Sequence, residues 1–444
     1  MQQSAEKKPG RVVVIGLDGV PHSLLTRFVS TGLLPNLERI LRQGSLARMS
    51  SCYPTVSCVA WSCFQTGNNP GKFGVYGYAE LTRDFDLRII SPRDLRGRTL
   101  WHVLSDAGRR VISLGVPLTA PVEKVRGILV DGFLAPSLEK ATYTHSFLPR
   151  LKSLGYRLDI DPVKAQKSVD FLKKDLMDVL EGRRRVLEAV WQEEQWDLLV
   201  MHIMETDRIN HFLWHVLEMP ESEDGRFFLD FYRKVDSILG EAAARLDEQT
   251  TLMILSDHGF CRKRNDVQLN RWLKKNGYLE LLGGPAEGFN AISAKSRACA
   301  LVPGRMHLLR KDLWRRGAVE PADYEKVRSA LIEALCSLQA PDDGGPVLER
   351  IFRREEIFHG PYAHMAPDVL AHPRDGYDLK AALGDGEVFS DGPITGMHTY
   401  GDAFVFVSGH QFSAEAPSIT DVMPTILELL GVEPPQDIDG RPFV

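Results

Sequence analysis

The sequence predicts an α/β protein: a doubly wound, mostly parallel sheet with flanking helices and an inserted cap. Three observations predict it. Short β-branched runs alternate with longer amphipathic stretches along most of the 444 residues. The runs are apolar almost throughout, as in strands buried on both faces of a parallel sheet. Acid- and histidine-bearing segments follow directly on those runs, where an open α/β sheet gathers its ligands.

The first run, Arg11–Leu17 (RVVVIGL), is the clearest strand, and runs of the same type fall at 110–115, 197–203, 251–255 and 403–407. Helical periodicity lies between them, at His22–Ser30 and at 35–43, 99–107, 163–192, 227–246 and 418–430. Gly32, Gly44, Gly108 and Gly431 stand where glycines that end helices belong. The stretch 76–94 carries little periodicity and reads as loops near a site. From 262 to 354 the chain is richer in Lys, Arg, Gly and Pro (GGPAEG, PDDGGP). The expected organisation is a catalytic core at 10–261, an insertion or cap at 262–354 and a return to the core at 355–444.

Composition excludes several classes of protein. The net charge of −5 provides no general attraction to a nucleic-acid polymer or an anionic membrane, so affinity for phosphate has to be local. The apolar runs are strand-sized, well short of the roughly 20 residues that cross a bilayer. The segment 1–10 is polar and lacks the apolar core of a secretory signal. Six cysteines (Cys52, Cys58, Cys63, Cys261, Cys299, Cys336) contain no C-x-x-C pair and are too few for a disulfide scaffold. A reduced, cytoplasmic protein acting on a small molecule is expected.

Four positions at the ends of expected strands carry the chemistry. Asp18 ends VVVIGLDG, and Asp257-His258 ends LMILSDHGF. Asp207 and His211, in METDRINHF, are four apart and share one face of a helical turn, so both can reach one ion. His398 lies in GMHTYGD, before the last strand. Each alone is equally a turn, cap or hydrogen-bonded loop residue. Together they supply three Asp and three His, enough for two ions, and such oxygen/nitrogen sets suit zinc first and manganese next. Within YPTVSCVAWSCFQTG, Pro54 disfavours helix before it and Ser57 opens a helix ending near Thr66-Gly67. A serine there is a plain N-cap, or a nucleophile favoured by the helix N-terminus and activated by neighbouring ions. Cys58 is the rival nucleophile, without a supporting local context.

Over nearly the whole chain these residues resemble the alkaline phosphatase superfamily. The branch most similar is that of type I phosphodiesterases/nucleotide pyrophosphatases, and within it prokaryotic predicted phosphohydrolases or phosphomutases. The resemblance rests on VVVIGLDG, PTVSCVAWSCFQTGNNPGKFGV, TDRINH, SDHGF, RREEIFHGPYAHMAPD, GMHTYGD and DVMPTILELLGVEPPQDIDGRPF. It implies one ion held by Asp18, Asp257 and His258 with Ser57 as fourth ligand, and a second held by Asp207, His211 and His398. It also implies attack by Ser57 on phosphorus and a covalent intermediate. The expected activity is metal-dependent hydrolysis of a phosphodiester, phosphoanhydride or phosphomonoester. The alternatives are a phosphomutase of the same superfamily and a non-catalytic metal-binding protein. Arg262-Lys263-Arg264 is a candidate contact for an anionic substrate, against a solvated surface run; Lys72, Lys295 and Arg297 are weaker candidates. Trp61 is expected to be a core aromatic.

Overall fold

The computed structural model describes residues 10–119, 124–283, 288–413 and 416–444. The missing secretory signal was expected from 1–10, of which 1–9 lie outside the described residues. The central sheet has seven strands: β1 (Arg11–Leu17), β2 (Gly44–Met49), β3 (Val111–Leu114), β4 (Gly127–Val130), β5 (Leu198–Ile203), β6 (Thr250–Leu255) and β7 (Ala403–Ser408). Their order is β2-β7-β6-β1-β5-β3-β4. The pairings among β6, β1, β5, β3 and β4 are parallel, while β7 runs antiparallel to β6 and β2.

Strand β1 shows why its run is apolar without alternation. Val13, Ile15 and Leu17 enter one core layer, and Val12 and Val14 enter the other. The first layer is closed by His22–Ser30, Pro35–Leu41, Val169–Glu193 and Glu223–Ala243, and the second by Ser57–Thr66, Leu100–Asp106 and Val422–Leu429. Burying each such side chain stabilises the fold by about 1.5–3 kcal/mol. The sheet is thus doubly wound, as expected.

Several local expectations shift. Gly44 does not end a helix; it begins edge strand β2, where an added Cβ would lie 2.1 Å from the Val407 carbonyl oxygen. Edge strand β2 is only partly buried along most of its length, unlike the interior strands. The pattern at 163–192 is broken into Pro162–Ala165 and Val169–Glu193, because Ser168 caps the second helix by accepting from Phe171 N.

A second region carries its own apolar cluster, from Val267 to Leu379, with Phe85 added from the core side. Its antiparallel sheet joins Ala298–Leu301, Arg305–Leu308, Val369–Pro373 and Leu348–Arg353. A smaller sheet joins Tyr377–Lys380, Asn265–Gln268 and Phe389–Ser390. The expected boundary at 354 therefore cuts through a sheet: 369–373 pairs with 348–353. Composition did not reveal this because pairing between strands distant in the chain leaves no local mark. Among the described residues, no helix is long and apolar enough to cross a membrane.

Candidate active site

The seven singled-out residues converge at the carboxyl ends of β1, β5 and β6. Asp18 follows β1, and the turn behind it needs Gly19, whose φ is +64° and whose N–H donates to Asp257 Oδ1 at 3.1 Å. Asp257-His258 follows β6. Asp207 and His211 lie one turn apart on the helix Glu205–Leu213, just after β5. That helix is clasped to the Asp18–Gly19 turn: Thr206 Oγ1 donates to Asp18 O at 2.7 Å, and Asn210 Nδ2 to Gly19 O at 2.9 Å. A buried ion pair, Arg183–Glu205 at 3.1 Å, fixes its first turn. His398 was expected on a loop; it stands on the short strand Gly396–Thr399, paired antiparallel with Gly259–Arg262 and opposite Phe260.

Two groups of ligand-type side chains result, Asp18/Asp257/His258 and Asp207/His211/His398. They adjoin, with the His258 and His398 rings stacked at 3.7 Å between centroids. Ser57 opens the helix Ser57–Thr66, and its Oγ lies 3.2 Å from Asp18 Oδ1 and 3.2 Å from His258 Nε2.

The hydrogen bonds set the tautomers. His258 Nδ1 faces Gly259 O at 3.0 Å, His211 Nδ1 faces Gly396 O at 3.0 Å, and His398 Nδ1 faces Thr55 O at 3.3 Å. A carbonyl only accepts, so each Nδ1 carries a proton and each ring directs its Nε2 into the site. His211 Nε2 and His398 Nε2 then face each other at 2.9 Å, with Asp207 Oδ1 at 3.3 and 3.1 Å from them. These three ligand-type atoms are close enough together to share one cation. In the other group Asp257 Oδ2 is buried without a hydrogen-bond partner, a costly state that a bound cation would relieve. Both donor sets consist of carboxylate oxygen and imidazole nitrogen, the chemistry of a divalent site.

Electrostatics follow the same grouping. Burial, and then the facing His398, push the His258 imidazole down to about 3. Burial and the neighbouring Asp18 push the Asp257 carboxyl up. Burial also pushes Asp207 upward, but His211 and His398 outweigh it and hold that carboxyl well below the usual range. Burial pushes the Cys58 thiol well up, which removes the thiolate a cysteine nucleophile needs.

Several contributors were not visible in the sequence. His202, on β5, bridges Gly115 O and Asp18 Oδ2, each at 2.7 Å. Trp61 is the core aromatic expected, but its Nε1 also donates to Asp18 Oδ2 at 2.9 Å. Tyr78 places its hydroxyl 3.4 Å from Ser57 Oγ. Arg208 reaches Asp207 Oδ2 at 3.3 Å and is held by Asp159 at 2.5 Å. A histidine inside an otherwise apolar strand was the one available signal, for His202.

Above the two groups lies a cavity of about 540 Å³ between the core and the second region. Tyr78, Arg208, His211 and His398 line it from the core, and Val302, Leu370, His372 and Lys380 from the other side. Ser57 has no solvent exposure and lies beside the lining residue Val56. The basic run does not line this cavity. Lys263 is buried against Asp266 at 2.9 Å, Arg264 pairs with Asp342 at 3.1 Å, and Arg262 reaches Glu218 at 3.3 Å. Lys72 pairs with Asp439 at 2.6 Å, Lys295 with Glu280 at 3.5 Å, and Arg297 packs on Tyr278, all away from the cavity.

A mostly parallel sheet carrying two such groups beyond its strand ends defines an alkaline-phosphatase-like protein. Within that superfamily, the chain belongs to the type I phosphodiesterase/nucleotide pyrophosphatase family, whose model matches residues 12–401. Among solved structures it is similar to a phosphonoacetate hydrolase from Sinorhizobium meliloti 1021 in complex with phosphonoacetate. The TM-score is 0.63 at 15% identity, over 96% of this chain and 95% of that one. It is also similar to human ectonucleotide pyrophosphatase/phosphodiesterase 5, with TM-score 0.58 at 15% identity over 96% of each chain. An inactive variant of the murine counterpart in complex with AMP gives 0.58 and 15% over 97% of each. At such identities the likeness is one of fold. No curated protein matches the sequence.

Proposed function

We propose that this protein is a two-metal phosphoryl-transfer hydrolase in which Ser57 attacks the phosphorus of a phosphodiester, phosphoanhydride or phosphomonoester small molecule. One observation carries the reading: the Ser57 hydroxyl stands 3.2 Å from both Asp18 and His258, with the second group stacked alongside. In this reading Asp18, Asp257, His258 and Ser57 hold one divalent ion and Asp207, His211 and His398 the other, zinc fitting the donor set better than manganese. When bound, the two ions supply positive charge where the attacking and departing oxygens become anionic.

The chain's own groups do the rest. Ser57 Oγ bonds to phosphorus as the bond to the leaving oxygen breaks, and water then cleaves the Ser57–phosphorus ester. At the start of the helix Ser57–Thr66 the Val59 and Ala60 N–H groups already donate to Val56 O, so those of Ser57 and Cys58 are the ones that favour an anion beside the hydroxyl. His202 and Trp61 pack against Asp18 Oδ2, and Oδ1 is directed at Ser57. The murine structure with AMP and the bacterial one with phosphonoacetate support a phosphorus-bearing small molecule as ligand. The six free cysteines support work in a reducing compartment, the cytoplasm.

The test uses metal-reconstituted protein against bis-aryl and mono-aryl phosphates, dinucleotides and sugar phosphates. Ser57→Ala is expected to lower turnover at least ~10³-fold with both ions retained, and acid-quenched parent protein to carry a substrate-derived phosphoryl mass on the Ser57 peptide. A near-parental rate in Ser57→Ala would place the nucleophile elsewhere. Isomer formation without free phosphate would mark a mutase.

A further inference from the structure

Three groups contact the Ser57 hydroxyl. Asp18 and His258 belong to the ligand group described above; the third, the Tyr78 phenol at 3.4 Å, does not. Tyr78 lines the cavity, whereas Ser57 has no exposure. The phenol thus borders both the nucleophile and the space from which a substrate arrives.

The ring is held for that position. Its edge-to-face partner is Phe133, with centroids 5.8 Å apart, and Phe133 in turn carries the Arg208 guanidinium at 5.3 Å from its centroid. Arg208 is anchored by Asp159 and touches Asp207. A chain of packed groups therefore runs from the second ligand group to the phenol, and it orders the hydroxyl before any substrate binds.

We propose that Tyr78 is a catalytic hydrogen-bond donor, its O–H directed at the non-bridging phosphoryl oxygen that sits next to Ser57 Oγ in the transition state. This rests on the reading of Ser57 as nucleophile. When phosphorus is bonded to Oγ, its non-bridging oxygens lie one bond further out, and one on the cavity side comes closer to the phenol than Oγ itself. The resting contact at 3.4 Å is long for an O–H···O bond, so the bond tightens only when that oxygen is present. An ordinary phenol is protonated at neutral pH and offers one donor. Arg208 and Lys380, the cations lining the cavity, are paired with Asp159 and Asp378 at 2.5 and 2.6 Å, which leaves the Tyr78 phenol as the cavity-lining side-chain donor that touches Ser57 Oγ.

The experiment compares the parent protein with Tyr78→Phe, which keeps the ring against Phe133 and removes only the hydroxyl. Three readouts are taken on metal-loaded protein: kcat/KM on an aryl phosphodiester, orthovanadate affinity by calorimetry, and metal content. Loss of about 10²-fold in kcat/KM is expected, with a comparable weakening of vanadate and unchanged metal content. The Rp/Sp preference for a phosphorothioate diester should also shrink, because one non-bridging oxygen has lost its partner. A rate and a vanadate affinity within threefold of parent would overturn the proposal, as would a rate loss that merely tracks loss of metal. Ser57→Ala in parallel separates the two claims. If it keeps the parental rate, the nucleophile assignment falls, and if only Tyr78→Phe behaves like parent, only the donor assignment falls.

Discussion

Gly16→Ala tests how tightly the first ligand group is built into the core. Gly16, on β1, lies two residues before Asp18, and Trp61 packs against both. A Cβ at Gly16 would lie 2.3 Å from the far ring carbon of Trp61, with two more ring atoms at 3.1 and 3.3 Å. Ordinary carbon contacts sit near 3.5–4.0 Å, so the indole must move by more than about 1 Å. It has little room, packed against Phe64 and His202 on a helix buried along its whole length. Overpacking of this kind costs about 1–3 kcal/mol. Dragging Nε1 from Asp18 Oδ2 removes a hydrogen bond to a charged group, about 1.5–3 kcal/mol more. The expected loss is therefore about 2.5–6 kcal/mol by urea denaturation, accompanied by weaker metal retention. Trp61→Phe removes the clashing atoms, so adding Gly16→Ala to it should cost at least about 1 kcal/mol less than adding it to parent. A Gly16→Ala loss below about 1 kcal/mol, or strict additivity with Trp61→Phe, would refute this account of the packing.

His398→Ala is expected to deplete one of two ions by elemental analysis and lower kcat by ~10²-fold or more, since the Asp207/His211 pair loses its third donor; full metal content at parental rate would contradict this. Asp439 is pushed up by burial, but Asn69, Lys72 and His359 outweigh it and hold it at about 2. Its folded value is below its unfolded one, so its stabilisation, about 1–2 kcal/mol, is complete above pH ~4 and is lost as pH falls toward 2. Asp439→Asn should flatten the acid limb of a stability-versus-pH curve measured from pH 5 to 2, and an unchanged limb would discount the cluster.

The interior strands, the helix at Ser57 and the convergence of the seven candidate positions were legible because most leave a local mark: an unbroken apolar run, a proline before a helix, an acid or imidazole close to a strand end. The edge strand Gly44–Met49 left none, being only partly enclosed, and Gly127–Val130 is buried but too short for a distinct run. Tyr78, His202 and Arg208 were hidden for another reason: their work depends on what lies across space from them. Tyr78 lies in an aperiodic stretch, and only the fold brings its hydroxyl to Ser57. The basic run at 262–264 misled in the opposite direction, since adjacency to Asp257-His258 in sequence does not carry it into the cavity.

Sequence by itself determined the strand–helix alternation, and hence that Asp18, Asp207 and Asp257 would leave strands at one edge of a single sheet. Periodicity and chain direction suffice for that, because parallel strands place their carboxyl ends together. Only the tertiary structure decided which carbonyl each imidazole uses, and so which nitrogen faces the site. It alone set Tyr78 between nucleophile and cavity, and it extended the second region past 354 to 373 and beyond. Those outcomes depend on contacts between residues far apart in the chain, which packing fixes and no local pattern encodes.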